Sequence, residues 1–153
     1  MNSEMLTIQE WHKKQAVDNF NYTWDLIDKQ DKNDEDKLEM IHAAHTSRYH
    51  WGKVGGPAQL ATGEWQISRV YALLGMGEGS LFHGLHSLRI CRENNFGGFD
   101  IGFAYEAVAR AYMILGDKEN MLKYVKLAKE CASGIEKDED REYFLSEVNT
   151  IGL

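Results

Sequence analysis

Apolar residues recur along this chain with the period of about 3.6 residues that is typical of amphipathic α-helices. Polar breaks divide the pattern into seven predicted helices. The first covers residues 7–29, and the second starts within residues 31–36 and ends within residues 51–56. The other five cover residues 57–74, 78–93, 100–115, 117–134 and 137–151. The pattern contains no convincing strand, so the predicted fold class is all-α, with about seven helices in antiparallel pairs.

Helix-boundary residues support these segments. Pro57 suits the first turn of the third helix, where its missing N–H is not needed. Gly75 and Gly116 follow the third and fifth helices, where glycine favours helix termination. Asp100 and Asp117 are the predicted N-caps of the fifth and sixth helices, because an aspartate carboxylate accepts hydrogen bonds from free backbone N–H groups.

The apolar positions also predict which face of the first two helices is buried. The predicted inner face of the first helix consists of Val17, Phe20, Trp24 and Ile27. The predicted inner face of the second helix consists of Leu38, Ile41, His42, His45 and Tyr49. Histidines on such a face are expected to be buried, neutral and hydrogen-bonded.

Two parts of the chain repeat each other at an offset of 41 residues. The sequence WQISRVYALLG at 65–75 aligns with EAVARAYMILG at 106–116. Small residues then recur at Ser80, Gly84, Ser87 and Cys91, and the same offset leads to Met121, Val125, Ala128 and Ala132. Small side chains let two helices approach closely, so each unit is predicted to be an antiparallel helix pair.

These units resemble the tetratricopeptide repeat (TPR), a helix–turn–helix unit with characteristic small, tyrosine and glycine positions. The matching residues are Ser68, Tyr71 and Gly75 in one unit and Ala109, Tyr112 and Gly116 in the other. The resemblance covers residues 58–132 and reaches the first two helices only in architecture. The chain departs from the family in its longer offset, in Gly84 at a usually bulky position, and in lacking the closing proline. It looks like a divergent TPR-like bundle, and it also resembles an uncharacterised group of bacterial TPR-like proteins of similar length.

Composition limits the possible partners. The 153 residues suit one domain, taken as 1–153, and the formal net charge is −7. This charge argues against nucleic acid and anionic membranes as partners, because both attract basic surfaces. No apolar run approaches the roughly 20 residues that span a bilayer, and the first residues lack the order of a signal peptide. Cys91 and Cys131 form no CxxC pair, so a cytoplasmic protein with reduced cysteines is expected.

The TPR resemblance implies a concave groove lined by two arginines. Arg69 and Arg110 would face this groove, with Trp65 and Glu106 one turn earlier. Arginine suits a partner carboxylate or phosphate, because its planar guanidinium donates two parallel hydrogen bonds. A simpler interpretation is also open, in which Glu106 pairs with Arg110 and Trp65 stacks on Arg69.

A third arginine belongs to a similar local sequence. Arg48 follows Ser47, as Arg69 follows Ser68, so Arg48 is counted among the candidate binding residues. Alternatively, Arg48 pairs with Glu64 on the neighbouring helix as a structural ion pair. A further hypothesis has Arg48, Arg69 and His50 hold a small anionic ligand inside the bundle.

Two histidine pairs suggest a metal site instead. His42 and His45 share one helical face, and His83 and His86 share another. Facing pairs of this kind bind zinc or iron when a carboxylate or a further histidine completes the set. The spacing is not specific, since the chain contains no HExxH motif.

The leading functional hypothesis is a non-enzymatic interaction module that binds a peptide, a partner protein or a second copy of itself through the concave groove. No cofactor is expected for this function. The alternative hypothesis is a histidine-based metal-binding protein, with hydrolysis as its candidate activity.

Overall fold

The computed structural model describes residues 3–152, and within this range the chain is all-α, as predicted. Its α-helices are α1 (Ile8–Asp28), α2 (Asp34–Val54), α3 (Pro57–Leu73), α4 (Gly77–Glu93), α5 (Phe99–Leu115), α6 (Lys118–Glu130) and α7 (Asp138–Val148). A short 3₁₀ turn, Cys131–Gly134, follows α6. No helix within residues 3–152 is long and apolar enough to cross a membrane.

Most of the predicted helix ends are confirmed. Pro57 is the first residue of α3, and the Asp117 side chain caps α6 by accepting a hydrogen bond from the Asn120 N–H. Gly75 and Gly116 have φ values of 73° and 75°, which residues with a side chain rarely adopt. The predicted N-cap at Asp100 is wrong, because α5 begins at Phe99 and Asp100 lies inside its first turn.

The helices stack as three consecutive pairs, α1 with α2, α3 with α4, and α5 with α6. Short turns join the members of each pair, so the two helices of a pair run antiparallel. The first helices of the second and third pairs, α3 and α5, also contact each other directly, and α7 packs on α5. The predicted arrangement of antiparallel pairs is therefore confirmed.

The small residues of α4 allow the second pair to pack closely. Ser80, Gly84, Ser87 and Cys91 are all buried. The Ser87 hydroxyl donates to the Ala61 carbonyl of α3 at 2.8 Å. A methyl group added at Gly84 would lie 3.1 Å from the Ser68 hydroxyl of α3 and 3.5 Å from α5. Gly84 is thus the point where α4 crosses both neighbours.

The predicted inner face of α2 is confirmed only in part. Ile41 and His45 are half-buried, and Ile41 packs against core residues of α1, α2 and α3. Leu38 and Tyr49 are 56% and 60% exposed, and His42 is also exposed. The buried residues of α2 are instead Met40, Ala43, Ala44, Ser47 and His50. This helix lies between α1 and α3, and three of the five buried residues on it, Ala43, Ala44 and Ser47, are small.

The predicted inner face of α1 agrees with the structure at three of its four residues. Phe20, Trp24 and Ile27 are half-buried and lie on the packed side of α1, as predicted, but Val17 is exposed. The fully buried residues of this helix are Ala16, Thr23 and Leu26. Small residues again mark the centre of the packed face.

Candidate functional site

A buried carboxylate joins four of the five residues predicted to bind a partner. Glu106 on α5 has no exposed surface. One of its oxygens accepts hydrogen bonds from Arg69 at 2.9 Å and from Arg110 at 2.8 Å. Its other oxygen accepts a hydrogen bond from the Trp65 indole N–H at 3.2 Å. We call Trp65, Arg69, Glu106 and Arg110 the Glu106 network.

The Glu106 network is covered by α7. The Glu147 carboxylate accepts a hydrogen bond from Arg69 at 3.2 Å, and the Glu147 carbonyl accepts one from Arg110 at 3.1 Å. Arg110 also donates to the Thr150 hydroxyl at 2.8 Å. The two arginine side chains are consequently only 13% and 12% exposed. In this structure they hold the C-terminal helix of the same chain.

The local pairs considered from sequence are both present. Arg110 pairs with Glu106 one turn earlier, and the Arg69 guanidinium lies 5.6 Å from the centre of the Trp65 ring. The contribution of Glu147 was not predicted. A signal for it does exist, because Glu147 follows Glu106 by the same 41 residues by which Glu106 follows Trp65. Glu147 therefore has, in α7, the same register position as Trp65 in α3 and Glu106 in α5.

The two arginines span the same distance in the repeat. Arg69 donates to the Glu106 carboxylate and Arg110 to the Glu147 backbone carbonyl, each partner lying 37 positions ahead in the sequence. The first helix of each unit is thus tied to the next by an arginine. This explains how α3, α5 and α7 come to lie side by side.

Arg48 does not belong to the Glu106 network. Its Nε donates to Glu64 at 3.1 Å, as the structural interpretation predicted, and His83 Nδ1 lies 2.6 Å from the other Glu64 oxygen. Burial opposes ionisation of Glu64, but the hydrogen bond and charge of His83, with the charge of Arg48, outweigh it and lower the pKa of this carboxyl. Gly63 permits the contact, because a side chain there would meet Arg48 at 3.0 Å.

The four histidines of the metal hypothesis are only partly brought together. His45 and His83 have ring centres 5.2 Å apart, and His45 Nε2 lies 2.9 Å from the Tyr71 hydroxyl. His42 is exposed, and His86 stacks on Phe82. Among residues 3–152, no group of three or more histidine, cysteine, aspartate or glutamate side chains could hold a metal ion. The geometry therefore gives the metal hypothesis no support.

The residues proposed to hold a small anion have separate partners. Arg48 is paired with Glu64, and Arg69 with Glu106. His50 instead pairs with His12 on α1, with their Nδ1 atoms 2.8 Å apart. This histidine pair was not predicted, since the periodic pattern does not indicate which turn of α1 meets the end of α2. Burial and the neighbouring charges of His12 and Lys53 lower the pKa of His50.

Two apolar cavities remain open beside the Glu106 network. The first, which we call the aromatic cavity, has a volume of about 110 Å³ and is lined mainly by Thr62, Trp65, Phe99, Asp100, Phe103 and Tyr143. The second, which we call the α1–α3 cavity, has a volume of about 210 Å³ and is lined mainly by Val17, Phe20, Trp51, Gln59 and Thr62. Thr62 lines both cavities, so the two lie next to each other on α3, and we call the pair the groove.

Comparison with models of known protein families found no match, and neither did comparison with curated proteins.

Proposed function

We propose that this chain is a non-enzymatic, TPR-like interaction module of the bacterial cytoplasm. Its partner is an apolar segment of another protein or of a second copy of the chain. The segment lies in the groove formed by the aromatic cavity and the α1–α3 cavity. The observation that carries the proposal is this pair of adjacent apolar cavities, the first of which is lined by Trp65 of the Glu106 network.

The chemistry of the groove supports a protein segment as the occupant. Its walls are largely aromatic and aliphatic, and such side chains contribute most of the energy in protein interfaces. Thr62, Ala58 and Gln59 on its floor are exposed, so the groove is accessible from solvent. Two free cysteines, Cys91 and Cys131, suit a reducing compartment.

The Glu106 network has a supporting role in this proposal. Arg69 and Arg110 hold α7 in place, and α7 supplies Tyr143 as one wall of the groove. The arginines thereby shape the binding surface without contacting the partner. This role replaces direct capture of a partner carboxylate by these arginines.

A second copy of the chain is a reasonable partner because apolar side chains remain exposed at one end of the bundle. Ile8 is 67% exposed and Trp11 is 41% exposed on α1. Sedimentation velocity at increasing protein concentration tests this part. A single monomeric species at every concentration would remove self-association and leave only a different protein as the partner.

Site-specific photo-crosslinking in cells tests the groove itself. A photoreactive benzoylphenylalanine is placed at Thr62, which lines both cavities, and in a matched chain at Lys126, an exposed position on α6. We expect a discrete cross-linked product from position 62 only, with twice the mass of the chain if the partner is a second copy. No product at position 62, or the same products from both positions, would contradict the proposal.

A further inference from the structure

The aromatic cavity has the walls of a cation-binding site. Four aromatic rings from three helices surround it, Trp65 from α3, Phe99 and Phe103 from α5, and Tyr143 from α7. Phe103 contacts the other three, with ring centres 5.5 Å from Trp65, 4.7 Å from Phe99 and 5.9 Å from Tyr143. The faces of such rings carry partial negative charge and attract organic cations.

The polar groups of the cavity exclude an anion. The Thr62 and Ser87 hydroxyls already donate to the carbonyls of Ala58 and Ala61, so neither has a hydrogen to offer an anionic ligand. Burial, together with the charge of Asp100, raises the pKa of the Cys91 thiol to about 11. The cysteine at the cavity wall is therefore neutral near neutral pH.

One carboxylate at the cavity is available to a ligand. Asp100 is exposed, and within residues 3–152 its side chain forms neither a hydrogen bond nor an ion pair. Arg69 lies beside the Trp65 ring, but the positive charge of this arginine is balanced by the carboxylates of Glu106 and Glu147. A positive ligand therefore meets an unbalanced negative charge at the mouth of an aromatic cavity.

From these contacts we propose that the aromatic cavity binds the quaternary ammonium group of a small molecule, with the rings around the methyl groups and Asp100 beside the charge. A primary ammonium is less suitable. Its three N–H groups would lose their hydrogen bonds to water, and the cavity walls supply few acceptors to replace them. A quaternary ammonium donates no hydrogen bonds, so it loses no hydrogen bonds to water when it enters the cavity. A volume of about 110 Å³ has room for several waters and so for a compact group of this kind.

This proposal goes beyond the interaction function and does not depend on it, since binding to the purified chain is measured with no protein partner in the cavity. Calorimetric titration of the purified full chain tests it with three probes that share a hydroxyethyl group. Choline is the quaternary ammonium, 3,3-dimethylbutan-1-ol is its neutral isostere, and ethanolamine is the primary ammonium. We expect saturable binding of choline, roughly tenfold tighter than binding of either other probe, as a cation–π contact in a sheltered site provides.

Two variants locate the binding. Asp100→Asn removes the charge at the mouth and Phe99→Leu replaces one ring, and each should weaken choline binding about tenfold. Asp34→Asn is the matched control, because Asp34 is likewise an exposed aspartate in the first turn of a helix. Circular dichroism confirms that each variant is folded.

Three results would overturn the proposal. The first is the absence of saturable choline binding at millimolar concentration. The second is equal affinity for 3,3-dimethylbutan-1-ol, which would make the cavity a site for neutral apolar molecules only. The third is an equal effect of Asp100→Asn and Asp34→Asn, which would place any choline binding outside the cavity. The crosslinking experiment at Thr62 would be unaffected by each of these results, so the two proposals fail separately.

Discussion

At the residue scale, Glu106 is a fully buried carboxylate that accepts three side-chain hydrogen bonds. We predict that Glu106→Gln lowers the free energy of unfolding by about 3 kcal/mol or more, because it leaves two largely buried arginines without their shared carboxylate. Urea denaturation followed by circular dichroism measures this change.

Glu93→Gln is the control for that measurement. The Glu93–Arg89 pair is also a helical pair four residues apart, but both side chains are 64% exposed. Its loss should change stability by no more than about 1 kcal/mol. Equal effects of the two substitutions would show that the Glu106 network contributes no more than a surface ion pair.

Partly buried histidines should make the stability of this protein depend on pH. The pKa of His45 is lowered from its usual 6.5, first by burial and then by the charge of His83. The pKa of His50 is lowered in the same direction. The unfolded chain therefore binds more protons below about pH 6.5, so stability is complete above that pH and declines as the pH falls.

A further decline should follow at lower pH. The pKa of Glu64 lies below its usual 4.5, so its stabilising contribution is present above that value and is lost as the carboxyl becomes protonated in the folded chain. Unfolding curves from about pH 7 to about pH 3 measure both steps, which fall in the histidine and carboxyl ranges.

The variant His45→Gln tests the assignment of the first step. Glutamine keeps a polar group near the Tyr71 hydroxyl but does not titrate, so stability should fall less between about pH 7 and about pH 5, the histidine range. His42→Gln, an exposed position one turn earlier, should change the pH profile less than His45→Gln, because the charge of His42 is the smallest of the named causes that shift the pKa of His45. An unaltered profile in His45→Gln would assign the step to other groups.

Some residue contacts could be predicted from sequence because they are local or lie on adjacent helices. The pairs Glu106–Arg110 and Arg48–Glu64 are of this kind. The contact of Arg69 with Glu147 spans 78 residues, and the chain has 24 acidic side chains to choose from. Charge alone does not identify one of these acids, and only the repeat register would have done so.

Gly84 controls the approach of helices at the element scale. We predict that Gly84→Leu lowers the free energy of unfolding by about 3 kcal/mol, because the new side chain would overlap Ser68 of α3 and the backbone of α5. Ser68 cannot move aside easily, since its hydroxyl donates to the Ser80 carbonyl at 2.7 Å. Thermal and urea unfolding measure the loss.

Gly97→Leu is the matched control for Gly84→Leu. A side chain at Gly97 meets no atom within 4 Å. The same chemical change there should alter stability by about 0.5 kcal/mol or less, as is usual for surface substitutions. A small effect at both positions would mean that α4 has room to shift.

Helix ends were more predictable than helix faces. The ends depend on local chemistry, such as the free N–H groups that Asp117 caps and the left-handed turn at Gly116. The buried face of α2 depends on what packs against it. Leu38 has the larger apolar side chain, but the narrow space between α1 and α3 takes Ala43 and Ala44. A prediction from apolar periodicity gives most weight to large apolar side chains, whereas most of the buried residues of α2 are small.

Burial is unevenly distributed over the whole molecule. Three of the 21 residues of α1 are buried, whereas eight of the 17 residues of α3 and eight of the 17 of α5 are buried. We predict that backbone amides exchange slowest with deuterium in α3 and α5 and fastest in the first turns of α1, because local opening there exposes little apolar surface. Hydrogen–deuterium exchange with mass spectrometry measures this gradient.

A uniform exchange rate in all helices would contradict that prediction. It would indicate that the chain opens only by global unfolding, as small single domains commonly do. The Glu106→Gln variant gives a second comparison, because it should accelerate exchange in α7 more than in α1.

The step from Arg69 to Glu106 and from Arg110 to Glu147 has a consequence for protein engineering. Residues 76–116 form one modular unit of 41 residues, from one turn to the next. In a chain with a duplicate of this unit inserted after Gly116, the copy of Glu106 would follow Arg110 by 37 residues, and the copy of Arg110 would precede Glu147 by 37 residues. The arginine contacts between successive units would therefore recur in a longer array, and the number of units, with the length of the bundle, becomes a quantity that a designer can choose.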